Sequence, residues 1–103
     1  MTNLETTSWI FLALAISSQK APIDYNGISQ IADGINHSVP TQKEMQNSLS
    51  WLINQKFILK VDEKYLLTEA GNKIFTITQN ESKTLLKIWK NIEDIFNELK
   101  IIE

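Results

Sequence analysis

With one histidine, His37, and no cysteine in 103 residues, nucleophilic or metal chemistry would have one imidazole and scattered carboxylates to work with. Asp33 lies four residues before His37 and Ser38 follows it, the minimum set for a hydroxyl activated by an imidazole that a carboxylate orients. The plainer account is better. A histidine near a helix C-terminus interacts with the helix dipole and with a carboxylate one turn back, and nothing here supplies an oxyanion hole or a substrate pocket. The missing cysteines exclude a disulfide framework, zinc knuckles, iron–sulfur ligation and thiol catalysis. We therefore expect a protein that is not an enzyme and needs neither cofactor nor metal.

The second set of functional side chains follows Pro40. Gln42, Lys43, Gln46, Asn47, Ser50 and Asn54 fall outward or flanking on the helix that this segment forms, and glutamine and asparagine pair bidentately with adenine edges. All ten basic residues are lysine, so the guanidinium fork that most often reads guanine is missing. Lys60 and Lys64 are candidates for phosphate contact, with Lys43, Lys56 and Lys73. Between Thr41 and Gln79 these five lysines meet four acids, and the local excess of one positive charge attracts a polyanion weakly. Trp51, read as exposed on the same helix, is the kind of anchor that dominates protein interfaces. Two partner classes follow: DNA along the polar face, or a protein seated on Trp51.

The elements that position these groups can be read from periodicity. Trp9 to Ile16 is an apolar run of eight, too short to span a bilayer, and no lysine precedes it as a signal peptide would require. It reads as a first helix capped at Thr6 or Thr7, ending about Ser18 and buried nearly all round, in a cytoplasmic protein without a membrane partner. Asp24 caps a second helix with Ile28, Ile31, Ala32 and Ile35 as its buried stripe, ending near Asn36-His37. Thr41-Gln-Lys-Glu44 is a capping box, with Pro40 and Met45 as its hydrophobic staple, so a third helix begins at Gln42. On it Met45, Leu49, Leu52 and Ile53 share one arc, with Lys43, Asn47, Trp51 and Asn54 roughly opposite.

Beyond Lys56 the period becomes two: Phe57, Leu59 and Val61 alternate with Ile58 and Lys60, and Asp62-Glu63 turns the chain into Lys64–Thr68, a β-hairpin. A short fourth helix runs from about Thr68 to Phe75, and Thr76 to Asn80 is a polar joint. From Glu81 to Glu103, Leu85, Trp89, Ile92, Phe96 and Leu99 are spaced four, three, four, three, a seam widened by Ile88, Ile95 and Ile102. Trp9, Phe11, Phe57, Phe75 and Trp89 are assigned to the core.

The fold expected is mainly α with a small β-hairpin: residues 1–79 as a helix-turn-helix with a hairpin wing, and residues 80–103 as an amphipathic dimerisation helix. The segments Ile28–Asp33, Leu49–Ile58 and Tyr65-Leu-Leu-Thr-Glu-Ala-Gly71 resemble winged-helix transcription regulators of the PadR and MarR kind over roughly residues 8 to 75. The last helix looks like the dimerisation helix of PadR-like proteins, and Ala32 to Thr41 is similar to a group of small bacterial winged-helix proteins. The resemblance implies DNA binding and, in some relatives, a pocket for small aromatics between the first and last helices. A terminal helix packed on the chain's own first helix would make a monomer and one packed on a second copy a dimer; the apolar flanks of the first helix favour a homodimer in which first and last helices interleave. Three positions depart from it: Lys56 where glycine is usual, Trp51 where a basic residue is common, and an acidic wing turn at Asp62-Glu63.

Overall fold

The structure, a computed structural model, describes residues 1–102. The side chains of residues 100–102, Ile102 of the expected seam among them, and the whole of Glu103 lie outside what is described. Five helices and three short strands follow in the order α1 (Asn3–Ser17), β1 (Ile23–Asp24), α2 (Tyr25–Asn36), α3 (Gln42–Asn54), β2 (Ile58–Val61), β3 (Lys64–Leu67), α4 (Glu69–Glu81) and α5 (Leu85–Ile102).

Helix α1 begins one turn earlier than its apolar run suggests, because Thr2 and Glu5 form a capping box of their own. The Glu5 amide donates to the Thr2 hydroxyl at 3.1 Å and the Thr2 amide to the Glu5 carboxylate at 3.2 Å. Every residue from Ser8 to Ala15 is buried, and α2, α3 and α5 all pack on this one helix. Its hydroxyls must then bond inward. Thr6 Oγ1 donates to the Thr2 carbonyl at 3.0 Å and Ser8 Oγ to the Leu4 carbonyl at 2.7 Å. Two indoles fasten the neighbours to it: Trp9 Nε1 donates to the Ala32 carbonyl of α2 at 2.8 Å, and Trp89 Nε1 of α5 to the Glu5 carbonyl at 2.9 Å.

Three elements differ from expectation. Strand β1 pairs antiparallel with β3, Ile23 opposite Tyr65 and Asp24 opposite Lys64, giving a sheet of order β1-β3-β2. Two residues carry no period, so this strand is not legible from patterning. Helix α4 does not stop at Phe75 but continues through the supposed polar joint to Glu81, with the Thr78 hydroxyl buried and donating back to the Ile74 and Phe75 carbonyls. The last helix accordingly starts at Leu85. In α2, Ile28 and Ala32 are buried as expected, but Ile31 is 37 % exposed.

The join between α3 and the hairpin explains the departure at Lys56. The Phe57 amide donates to the Leu52 carbonyl at 3.0 Å and the Lys56 amide to the Ile53 carbonyl at 2.9 Å, a Schellman closure that places Lys56 at φ 65°. Phe57 thereby turns inward as the buried hydrophobic partner of this cap, in the core as expected, and the residue after it is buried as well. Ile58 is buried, while Leu59 and Val61 are each 51 % exposed. Asp62 and Glu63 form the two-residue turn with φ 51° and 66°, both in the left-handed region that such tight hairpins require.

The Tyr65–Gly71 motif closes the sheet onto α4. Thr68 Oγ1 accepts from the Gly71 amide at 3.1 Å and donates to the Lys56 carbonyl at 2.6 Å, while the Thr68 amide reaches the Phe57 carbonyl at 3.0 Å. A Cβ on residue 71 would land on the Phe57 carbonyl oxygen, so only glycine lets α4 approach.

Helix α5 enters the same core. Phe96 lies 5.3 Å from the Phe11 ring, 5.6 Å from Phe57 in a stacked pair and 5.1 Å from Trp51; Trp89 stacks on Trp9 at 6.1 Å. Such pairs add roughly 0.5–1.5 kcal/mol each beyond buried area. The middle of the seam expected to meet a second copy is therefore closed by the chain's own α1: Ile92 and Phe96 have no exposed surface, Trp89 and Leu99 are half-buried, and Leu85 is exposed.

Lys56→Gly removes a side chain from the left-handed region and is expected to raise stability by about 0.5–1 kcal/mol in urea unfolding. Gly71→Ala should lower it by about 2 kcal/mol. A destabilised glycine variant, or a neutral alanine one, would refute this account of the hairpin base. In the α1 cap, hydrogen bonds from the Thr2 backbone and then its side chain hold the Glu5 carboxyl below its ordinary 4.5. The cap's contribution is therefore present above that pH and fades as pH falls through the lowered folded value. A carbon-detected NMR titration should give a Glu5 midpoint below 4.5 that returns upward in Thr2→Ala.

Candidate nucleic-acid interface

Helix α3 is fixed at both ends before its outer face is considered. At its start the Thr41 amide donates to Glu44 Oε1 at 2.9 Å and the Glu44 amide to Thr41 Oγ1 at 3.1 Å, the capping box expected, with Pro40 and Met45 both buried. At its end the Schellman closure holds it against the hairpin. Met45, Ser48, Leu49 and Leu52 are the buried residues, and Ser48 Oγ meets Thr7 Oγ1 of α1 at 3.3 Å.

Two residues fall on the opposite side from their assignment. Trp51 is half-buried, because α5 brings Phe96 and the hairpin base brings Phe57 against its ring, the latter at 6.2 Å. The covered arc of α3 is thus rotated toward Trp51, and Ile53 is left 38 % exposed. A wheel drawn for α3 alone could not include a helix forty residues downstream. Trp51 is a packing residue with one free edge.

Gln42, Lys43, Gln46, Asn47, Ser50 and Asn54 are all exposed. Among the described residues, none of their side chains is engaged in a hydrogen bond or an ion pair within the chain. The structure divides them between two depressions. Gln42, Gln46 and Ser50 line a cleft of about 520 Å³ between α3 and the hairpin, facing Lys60, Glu63 and Tyr65, with Tyr25 from the start of α2. Lys43 and Asn47 line a groove of about 390 Å³ against the first turns of α1, with the free edge of Trp51. Asn54 and Lys64 border neither.

Electrostatics here are mild. Lys60 Nζ lies 3.6 Å from the Glu63 carboxylate and 5.8 Å above the Tyr65 ring, and Lys64 is the cross-strand partner of Asp24. Glu44 sits over the positive end of the α3 dipole. Tyr25 and Glu63 were not foreseen as neighbours of the polar face. Tyr25 arrives through the unpatterned β1 pairing, and Glu63 through a turn that folds back toward Lys60.

No protein-family model, curated protein or solved structure matches the chain. Its function must be argued from its own geometry.

The remaining candidates are dispersed. His37 caps α2 with φ 54°, its amide donating to the Asp33 carbonyl at 2.7 Å, and Asp33, His37 and Ser38 are all exposed. Among the described residues no group of three histidines or acids is placed to hold a metal ion, and no helix is long and apolar enough to cross a membrane.

Trp51→Ala should cost about 2 kcal/mol of stability, about half of what a fully enclosed tryptophan costs on truncation, whereas Gln46→Ala and Asn47→Ala should stay within about 0.5 kcal/mol of the parent. Thermal unfolding of the three variants checks the division. A neutral Trp51→Ala would return that ring to the surface.

Proposed function

We propose that this chain is a non-catalytic winged helix-turn-helix domain that binds DNA through α3 and acts in transcription regulation. The observation that carries the proposal is the uncommitted polar face: six exposed hydrogen-bonding side chains on a helix rigidly held at both ends, none used by the fold. A helix so presented suits the major groove, where Gln42, Gln46, Asn47 and Asn54 have the amide geometry for adenine and Lys43, Lys60 and Lys64 supply phosphate contacts. The element order supports the reading, with a short strand between the first two helices, a hairpin after the third, and β3 central in the sheet. A second copy would meet this one at exposed positions such as Leu85 and Leu86 rather than along Ile92 and Phe96.

The competing reading is a protein-interaction module with the same fold. It is favoured by the muted charge around α3, where Lys60 and Lys64 each have an acidic neighbour. It is weakened by Trp51, its proposed anchor, being occupied by Phe96 and Phe57.

Fluorescence anisotropy with a pool of mixed-sequence duplexes decides between them. The DNA reading expects binding at about 50 mM salt that weakens steeply by about 200 mM, in line with release of roughly one counterion per phosphate contacted. Lys43→Glu should abolish it while leaving thermal stability unchanged. No binding at the lower salt, or binding indifferent to Lys43→Glu, would overturn the proposal.

A further inference from the structure

Strand β2 is an edge of the sheet, since β3 lies between it and β1. The two-residue turn makes Val61 and Lys64 the closing hydrogen-bonded pair. Leu59 and Val61 therefore direct their backbone groups to β3, and those of Ile58 and Lys60 face away from the sheet. Among the described residues, nothing in the chain pairs with that edge. It forms the floor of a cleft of about 850 Å³ between the end of α3 and the start of α4, whose lining carries Lys56, Lys60 and Lys73 against a single acid, Glu69. Glu63, outside the lining, lies 3.6 Å from Lys60, and the cleft still keeps a local positive excess in a chain of net charge −2.

The side chains along the edge alternate in kind. Leu59 and Val61, each 51 % exposed, stand on the outer face of the sheet, and Lys60 stands on the other. A strand added beside β2 would place successive residues against these in turn. We infer that the β2 edge is a docking site for an extended segment of a partner protein in which apolar and acidic residues alternate, added to the sheet as a fourth strand. The apolar residues cover Leu59 and Val61; the carboxylates meet Lys60 and its neighbours Lys56 and Lys73. A second copy of this chain does not fit, because its own β2 carries lysine where a carboxylate is needed and would set like charges together. The site is separate from the α3 face except for Lys60, and it does not depend on the DNA reading.

The test uses the full chain, labelled with nitrogen-15, and a capped synthetic peptide of four Val-Glu repeats. Binding should move the amide resonances of Ile58 to Val61 saturably and slow exchange of the Lys60 amide with solvent, with no change at Gln46 or Asn47. Four Val-Lys repeats should bind at least tenfold more weakly. Lys60→Pro keeps the pairing with β3, because the amide it removes faces outward, and should abolish binding. Leu59→Glu, a substitution at an exposed position that leaves the backbone intact, should weaken it at least tenfold if the proline variant does not fold. Absence of shifts at millimolar Val-Glu peptide, equal binding of the lysine peptide, or full binding by Leu59→Glu would overturn the inference.

Discussion

Helix α1 has no solvent side along most of its length, and the rest of the chain is arranged to keep it that way. A helix buried all round must satisfy every polar group without water and must be covered on every flank. The hydroxyls of Thr6 and Ser8 turn back onto the carbonyls four residues earlier, the Trp9 indole of α1 donates outward to an α2 carbonyl, and the Trp89 indole of α5 donates inward to the Glu5 carbonyl. Covering α1 takes three helices at once. That is why α5 is not free to serve only as a handle for a second copy, and why Phe96 sits among Phe11, Phe57 and Trp51.

What this central packing leaves outside is the polar half of α3. Its chemistry is neutral hydrogen bonding with one lysine, its flanking hairpin lysines have acidic neighbours, and its dipole is already met by Glu44. Such a surface has few charges to offer a polyanion, so screening by salt or the loss of a single lysine weighs heavily on any contact it makes. The rigidity conferred by a capping box at one end and a Schellman closure at the other matters correspondingly more.

Much of this was legible in the residues. The capping box at Thr41, the cap at Asp24 and the two-residue turn at Asp62-Glu63 are local signals, set by backbone hydrogen-bonding rules that act within four residues, while the special position of Lys56 was marked only by the glycine usual there in the regulators the chain resembles. The burial of α1 followed from its unbroken apolar run, and the exposure of the six polar positions on α3 from amphipathic patterning. What escaped was set by distant contacts: β1 exists only because β3 lies beside it, Trp51 turned inward because α5 returns to cover it, and Leu59 faced outward because Phe57 was drawn into the cap. Thr2 and Glu5 were an exception, a local motif overshadowed by the stronger apolar run that follows it.

The hydroxyl of Thr68 has one further implication. Its proton and a lone pair are bound to different elements, the last turn beyond α3 and the first turn of α4, while its own amide is tied to Phe57. The base of the hairpin therefore cannot fray strand by strand. Opening it disrupts the end of one helix and the beginning of another together, so these stretches constitute a single cooperative unit whose amides should become accessible to solvent in concert.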